Sequence, residues 1–481
     1  MSDTNNWFEV DRNGLKALQE GKPKTFIVRE LLQNAFDENI TTCTLRMWEH
    51  SGGKVSITVE DDSPEGFRDL SDAYTLFKGT YKRSDATKRG RFNLGEKQVF
   101  SVCESAEIVT TTGTIVFDKE GRHKKRKTRD EGSLIKVTLR MSRKEVDEII
   151  DFVNLLLIPE GIDFNFWYDS KKDVLTQSVR THQEPYKKFE ATLRTELQDG
   201  EAFRPTRRKT QVHVHQTVEA KYLYELGIPV CEIDCDFSID VQQKVPLSTD
   251  RDTVSATFLK ELYALVLNHT HETISAENAA NAWVREAVSS SLVDKAAVTS
   301  VVLGRFGDKV VVANPMDPVA NDDALSHGYH VVRGSELNGQ EWESIKRFSA
   351  ISSSTQVFGK SVVGHEVVEP THEQRKVADW AKKFFREFFG QELNVQFISA
   401  PTASVVANFD LKGNTMRFNV PKVFGPWSAD GRPSKSMIDL ILHEFGHHKG
   451  GHVDSAYHEA LTAMGAWLII KALNEPKWFN L

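Results

Sequence analysis

Residues 29–39, RELLQNAFDEN, restrict what this chain can be more than any other stretch. Leu31, Leu32, Ala35 and Phe36 recur at helical spacing, which predicts a helix with one apolar side. Glu30, Asn34 and Asp37 stand at i, i+4 and i+7 and share the opposite side. A carboxylate, an amide and a second carboxylate in one line suit a metal–phosphate site. The carboxylate can orient or deprotonate a water, and the amide oxygen can hold Mg²⁺. An ordinary amphipathic surface helix carries the same pattern, so the segments that follow must decide between the two.

Residues 43–48 and 54–60 read as strands, the second of them, KVSITVE, alternating and β-branched. It runs into DDSPEGF, residues 61–67, a turn of carboxylates, Pro and Gly. A helical piece at 70–77 precedes a long basic, Gly-containing loop at 79–95, GTYKRSDATKRGRFNLG, and a helix is expected from about Glu96. Strands at 107–111, 114–118 and 134–140 follow, with Gly132-Ser133 opening the last. Between the last two, residues 121–130, GRHKKRKTRD, are expected to form an exposed hairpin tip. An aspartate at a strand end can accept from an adenine amino group, and a following glycine lets backbone approach the base. A Gly-rich, basic loop leading into a helix N-terminus offers N–H groups to phosphates.

In this order the pieces resemble the ATPase domain of the GHKL superfamily, which includes gyrase, the ninety-kilodalton heat-shock chaperones, histidine kinases and the MutL mismatch-repair proteins. RELLQNAFDEN resembles the N box, which implies Glu30 as general base and Asn34 as Mg²⁺ ligand, and leaves Asp37 to support local structure. DDSPEGF resembles the D-x-G-x-G box. Aligned on Gly66 and Phe67 it makes Asp62 the adenine-binding carboxylate, with Asp61 the runner-up because Pro64 replaces the first glycine. RFNLGEKQVF resembles the second glycine box, with Gly95 and Lys97 near the phosphates and Asn93 where a glycine is common. Gly132-Ser133 resembles the Gly-Thr pair near the adenine, which places Ser133 there. The resemblance covers roughly residues 5–145 and implies a two-layer α/β sandwich with a mixed sheet. No Walker-type G-x-x-x-x-G-K-[ST] competes with it.

Residues 146–275 carry a helix at 145–157, strands at 163–168, 174–181, 189–197 and 211–215, and a closing helix at 256–268. This is similar to the α/β transducer domain of several superfamily members, whose loop lysine reaches the γ-phosphate. Gln242-Gln243-Lys244 is similar to that loop, so the resemblance implies Lys244 as the sensor, with Arg251 the alternative and a plain surface lysine the bland reading. A lysine delivered from a second domain makes closure depend on ATP rather than ADP. Residues 276–365 read as a small α/β unit with Pro315 and Pro318 in its loops and ISSSTQVFGKS as a linker. His327, His330 and His365 have no ligand spacing there.

The C-terminal segment offers an amphipathic helix at 373–389, strands at 393–398, 404–409 and 415–420, and a helix, capped at Ser436 or a neighbour, that carries HEFGHHKGGH. His443 and His447 are i and i+4 with Glu444 between them. This is H-E-x-x-H, two imidazoles for Zn²⁺ and a carboxylate to activate water. Its place after a helix and three strands, with Gly450-Gly451 beyond it, resembles the zincin metallopeptidase fold. His452 is the favoured third ligand, although it comes one residue too early for the metzincin pattern. Glu459 on the next helix is the gluzincin-like alternative, and His458 and Asp454 rank below it. His448 and Lys449 are expected to face solvent, and Asp439 is either a partner of a ligand or helix surface.

The whole is expected to be an α/β multidomain chain: a GHKL ATPase domain at 1–145, a transducer-like domain at 146–275, a small connecting domain at 276–365 and a zincin-like domain at 366–481. With 61 basic against 68 acidic residues it is not a general nucleic-acid-coating protein. Four cysteines are too few for a disulfide scaffold, so reduced thiols in the cytoplasm are expected. The N-terminus lacks a signal-peptide pattern, and the apolar run near 466–473 is too short to span a bilayer. The expected cofactors are ATP, Mg²⁺ and Zn²⁺, the expected partners a protein substrate and, as in GHKL proteins, a second copy on ATP binding. Three functions fit: an ATP-regulated zinc peptidase, an ATP-driven clamp or chaperone-like machine with a non-proteolytic metal domain, and a DNA-transacting ATPase. The intact HEFGH favours the first, since a structural zinc has no need of Glu444, while the basic tip favours the third a little.

Overall fold

Alternation in KVSITVED seeds the first sheet. Val55, Ile57 and Val59 fall on one side and are at most 2 % exposed, as Cys43, Leu45 and Met47 are on the neighbouring strand. The computed structural model describes residues 10–170, 175–199, 202–217, 220–248, 253–315, 317–358, 366–401, 405–411, 413–452 and 454–481. It divides into two compact units, Met1–Leu262 and Tyr263–Leu481. Arg251 and His365, named above, lie outside the described residues.

In the first unit the elements run α1 (Arg12–Ala17), α2 (Thr25–Phe36), β1 (Thr42–Glu49), β2 (Lys54–Asp61), α3 (Gly95–Val102), β3 (Ser105–Thr110), β4 (Gly113–Asp118), β5 (Gly121–Lys125), β6 (Leu134–Arg140), α4 (Arg143–Leu155), β7 (Asp163–Asp169) and β8 (Leu175–Arg180). Their strands form one mixed sheet, ordered β5-β4-β3-β6-β2-β1-β7-β8. Helices α2, α3 and α4 share a core with it. Ile27, Val28, Leu31 and Leu32 of α2 are fully buried, each worth about 1.5–3 kcal/mol of transfer free energy. A five-stranded sheet follows: β9 (Lys187–Asp199), β10 (Ala202–His215), β11 (Tyr222–Glu225), β12 (Ile228–Glu232) and β13 (Ser238–Val241), ordered β12-β11-β13-β10-β9.

The structure differs from the expectation in three ways here. The boundary expected at 145/146 does not coincide with a change of sheet, because β7 pairs parallel with β1, Leu45 opposite Phe166, and β8 extends that edge. Residues 121–125 are not a free tip but the edge strand β5, paired with β4. Its charges are tolerated because an edge strand is open to water. The polar stripe of α2 is not an open solvent face, since Glu30 and Asp37 are buried and Asn34 is half-buried.

Helix α5 (Ala256–Thr270) contains the division between the units. In the second unit come α6 (Ala282–Val288), α7 (Lys295–Phe306), β14 (Val310–Val312), α8 (Pro318–Ser326), β15 (His330–Val332), α9 (Gly339–Phe348) and α10 (Ser354–Phe358). Strands β14 and β15 pair in parallel. Pro318 is not in a loop. It is the first residue of α8, where its missing N–H costs nothing, and Asp317 caps that helix. ISSSTQVFGKS is not a mere linker either: Ser353 bridges to Val312, and Ser354 begins α10 fully buried.

The chain continues with β16 (Glu366–Val367), α11 (His372–Phe389), β17 (Asn394–Ser399), β18 (Ala407–Asp410), β19 (Thr415–Asn419), β20 (Ser428–Ala429), β21 (Arg432–Pro433), α12 (Lys435–Gly446) and α13 (Ser455–Asn474). The sheet order is β16-β17-β19-β18, with β20 and β21 as a separate pair. A Thr371–Gln374 capping box starts α11, and Gly390 ends it in the left-handed region at φ 69°. Its apolar stripe, Trp380, Phe384 and Phe385, packs with Phe445 of α12 and Met464 of α13. That packing fixes the direction in which α12 delivers its last turn. Among the described residues no helix is long and apolar enough to cross a membrane.

Candidate functional site

Five separate segments of the first unit meet around a cavity of about 290 Å³. Helix α2 supplies Glu30, Asn34 and Asp37, the end of β2 supplies Asp61, the following turn supplies Gly66, the 79–95 loop ends there in Gly95, and the start of β6 brings Ser133. Backbone crowding explains the glycines. At Gly132, with φ +70°, a Cβ would lie 1.8 Å from the Asp61 carbonyl oxygen, and at Gly66, with φ +56°, 2.2 Å from Thr110 Oγ1. Gly132→Val is therefore expected to destabilise the protein by more than about 1 kcal/mol, seen as a lower urea midpoint.

Asp61 faces the cavity and Asp62 does not, the reverse of the alignment on Gly66. The cause is strand alternation: Asp61 continues the inward series Val55, Ile57, Val59, and the next residue must point away. The Asp61 carboxylate Oδ1 accepts from Ser63 N at 3.0 Å and Ser133 N at 3.2 Å, which leaves Oδ2 for a ligand. Burial pushes its pKa up to about 6 against those two bonds, helped by the charges of Glu38 and Asp62. Asp62 instead accepts from Thr41 N at 2.9 Å and Thr42 N at 3.0 Å and secures the entry to β1.

Glu30 is 6 % exposed. Gly95 approaches it so closely that a Cβ there would sit 1.8 Å from Glu30 Oε2. Asn34 Nδ2 donates to Glu96 Oε1 at 2.5 Å, which fixes the amide and turns its oxygen away from Glu96. Helix α3 starts at Gly95 without a side-chain cap, so its first N–H groups can serve an anion. Glu96, which also lines the cavity, escaped the sequence reading.

Two expected residues are not on the cavity wall. Lys97 Nζ donates to the Asp72 carbonyl and, at 3.0 Å, to Asn93 Oδ1. It ties the base of the loop, and the cations that line the cavity are Arg68, Lys78, Lys82 and Arg91. Lys244 is fully buried, with Nζ donating to the carbonyls of Lys82 and Arg83. Burial and the neighbouring Arg91 lower its pKa to about 8. The 79–95 loop is pinned at other points as well. Asp37 accepts from Arg89 N at 2.8 Å, Gly90 N at 2.9 Å and Arg89 Nη1 at 3.0 Å, and Arg91 forms a two-point pair with Glu225. Although burial opposes it, Arg89 and Lys82 hold the Asp37 carboxyl below its usual range. Asp37 thus has the structural role expected of it, as the anchor of this loop.

The second unit gathers His443, His447 and His452, with ligand atoms all within 4.8 Å of one another. His443 and His447 come from the end of α12, and the Gly450-Gly451 turn brings back His452, whose Nε2 lies 3.1 Å from His443 Nε2. Each imidazole has its other nitrogen engaged. His443 Nδ1 is 3.0 Å from the Tyr457 hydroxyl, His447 Nδ1 is 3.2 Å from the Gly450 carbonyl, and His452 Nδ1 is 3.2 Å from the Asn314 amide. Burial lowers the pKa of all three, that of His452 to about 4, so they are neutral at pH 7. Three neutral imidazoles converging on one point can hold a divalent cation with a coordination position to spare.

Glu459 is exposed on α13 and outside the cluster. Asp454 fixes the turn by accepting from Gly451 N at 2.6 Å, and His458 Nε2 lies 2.8 Å from the His452 carbonyl. Asp439 is exposed, and the partner of His443 is Tyr457. His448 does not face solvent but packs against the rings of Phe385 and Phe389. Glu444 is 6 % exposed, and burial pushes its carboxyl up to about 8 against a bond from the Phe409 backbone N–H. Tyr457 explains the glycine of HEFGH, since a Cβ on Gly446 would lie 2.5 Å from its ring. The sequence reading missed Tyr457, although the buried stripe Tyr457, Ala460, Met464, Leu468 places it on the inward side of α13.

No protein-family model matches this chain, and no curated protein matches it. One solved structure to which it is similar is the crystal structure of the N-terminal domain of a DNA repair protein, at 14 % identity and a TM-score of 0.34, over 50 % of this chain and 91 % of that one.

Proposed function

We propose that the first unit binds and hydrolyses ATP as a GHKL-type ATPase. The three imidazoles of the second unit hold zinc in a zincin-type peptidase, and nucleotide-driven closure of the ATPase regulates it. The observation that carries this reading is the cavity shared by Glu30, Asn34, Asp61, Gly66, Gly95 and Ser133, residues of separate boxes with complementary chemistries. Asp61 accepts from the adenine amino group beside Gly66 and Ser133. The N-terminus of α3 and the lysines of the wall take the phosphates. Mg²⁺ held by the Asn34 amide oxygen would neutralise charge on the phosphate oxygens. Glu30 takes a proton from water as the water oxygen bonds to the terminal phosphorus and the bond to the bridging oxygen breaks. Lys244 braces the 79–95 loop through the carbonyls of Lys82 and Arg83 and so senses its position.

In the peptidase, His443, His447 and His452 would hold the metal, and Glu444 would take the proton of the attacking water and pass it to the leaving amine. Zinc bound there supplies a Lewis acid that acidifies water and polarises the scissile carbonyl. The test is to measure ATP turnover and zinc content on one preparation. Mg²⁺-dependent hydrolysis and one zinc per chain are expected. Protein purified without chelator that lacks both would end the reading.

Asp61 gives a sharper test. Its carboxylate must be ionised to accept from adenine, and its pKa in the free protein lies at about 6. ATP affinity should be flat above pH 7, begin to fall through 6 and approach a loss of about tenfold per pH unit below about 5. Asp61→Asn should weaken binding at pH 7.5 and flatten the profile. An unchanged affinity and profile would remove Asp61 from the site.

One observation favours a DNA-transacting role instead: Lys124, Arg126 and Lys127 stand exposed on and beyond the edge strand β5. Salt-sensitive DNA binding that stimulates ATP turnover would shift the reading that way.

A further inference from the structure

Glu96 lines the nucleotide cavity beside Glu30 and Asn34 and is 8 % exposed. It is the second residue of α3, directly after Gly95. Glu30 and Asn34 are one turn apart on α2. Gly95 closes on the first of them, where a Cβ would lie 1.8 Å from Glu30 Oε2. In the register that this contact sets, the next residue of α3 meets the next turn of α2: Asn34 Nδ2 donates to Glu96 Oε1 at 2.5 Å. Among the described residues the Asn34 side chain makes no other hydrogen bond, so its Oδ1 stays open to a ligand. The second oxygen of Glu96 faces a cation, with Lys97 Nζ 3.5 Å from Oε2. Lys97 is itself fixed by the Asp72 carbonyl and, at 3.0 Å, by Asn93 Oδ1. The contacts thus run from the base of the 79–95 loop through Lys97 and Glu96 to Asn34.

We infer that Glu96 is a positioning residue for Mg²⁺: it holds the Asn34 amide by the NH₂ end and so presents the oxygen end to the cation. This rests on the ATPase reading above. The two ends of a primary amide are nearly the same size, so the hydrogen-bond partner and not packing chooses between them. An ionised carboxylate only accepts. A half-turned amide would set its oxygen against Glu96 Oε1, acceptor against acceptor, and its NH₂ group where the cation belongs. The bond to a charged acceptor is about twice as strong as a neutral one, which makes the choice firm. Lys97 and the start of α3 surround that carboxylate with positive charge. The lysine expected beside the phosphates therefore serves the site by holding Glu96.

The experiment is binding of a fluorescent ATP analogue to the full chain, first in chelator and then against rising Mg²⁺. It compares wild type, Glu96→Met, Glu96→Gln, Asn34→Ala and the Asn34→Ala/Glu96→Met double variant. In wild type Mg²⁺ should tighten binding. Glu96→Met keeps the length of the side chain without an acceptor. It should bind the analogue in chelator within about threefold of wild type and need about 10–100-fold more Mg²⁺ for the same gain. Glu96→Gln still offers an acceptor oxygen and should need less Mg²⁺ than the methionine variant, a rescue that a packing role would not produce. Asn34→Ala should lose the gain, and Glu96→Met added to it should change nothing further, because both act through one group. Wild-type Mg²⁺ dependence in Glu96→Met, a folded Glu96→Gln no better than methionine, or a further loss in the double variant would each overturn the role of Glu96 alone. So would loss of binding in chelator by a Glu96→Met whose far-ultraviolet circular dichroism is native. A wild type that binds no analogue, or binds it without regard to Mg²⁺, would overturn the ATPase reading and this role together.

Discussion

Glu30→Gln is expected to reduce ATP turnover by about 10²–10⁴-fold, the usual worth of a positioned general base, while ATP binds within a few-fold of wild type. Glutamine is the informative substitution because the site is tight. Gly95 closes on the Glu30 carboxylate at a distance that leaves no room for a methyl group, and an isosteric amide keeps that contact. Alanine should abolish turnover as well, but it also opens a hole beneath the start of α3. Phosphate release under saturating ATP and binding of a fluorescent nucleotide separate the two effects. If Glu30→Gln turned over as fast as wild type, the water-activating role would have to pass to another carboxylate of the wall, and Glu96 would be the first to test. If binding were lost together with turnover, Glu30 would be holding the cavity together rather than acting in it.

Helical and strand periods carried most of the first site. RELLQNAFDEN put Glu30 and Asn34 in line, and both face the cavity. The same periodic reasoning, taken one residue further along β2, selects Asp61 over Asp62. The alignment on Gly66 hid this because Pro64 alters the turn. What the sequence could not give was long-range pairing. β7 joins β1 in parallel across more than a hundred residues, and no local pattern marks that choice. Lys244 was found as a lysine on a loop, but its burial under the carbonyls of Lys82 and Arg83 depends on how two distant segments fold together. Helices α7 and α8 went unread for a local reason. The first, KAAVTSVVLGRF, is rich in β-branched residues, and the second begins with a proline. In the second site the i, i+4 spacing gives His443 and His447, and His452 joins them out of several candidates for a third ligand, whereas Asn314 lies 138 residues from His452 and has no motif.

Glu444→Gln should retain zinc and lose cleavage of a cognate protein by about 10²–10⁴-fold, whereas His443→Ala should lose the zinc itself. The two variants differ because Glu444 lies in the proton path and His443 in the ligand set. A folded Glu444→Gln that binds zinc and still cleaves would contradict the mechanism. The pH dependence of the metal-free protein gives a second, independent handle. Burial raises the Glu444 carboxyl from 4.5 to about 8, so between those values the folded chain holds a proton that the unfolded chain has released. Stability from this group is therefore fully present below about 4.5 and falls as pH rises through 8. Glu444→Gln has no such proton to lose. Its metal-free unfolding midpoint should gain on wild type as pH rises from 5 to 8.5. A cation on the three imidazoles favours the ionised carboxylate, so zinc should shrink that difference, and in the loaded enzyme the acid limb of cleavage should fall below pH 8. Parallel stability profiles for the two metal-free proteins would mean that Glu444 is not the buried, neutral carboxyl from which a water-activating base is made when the metal arrives.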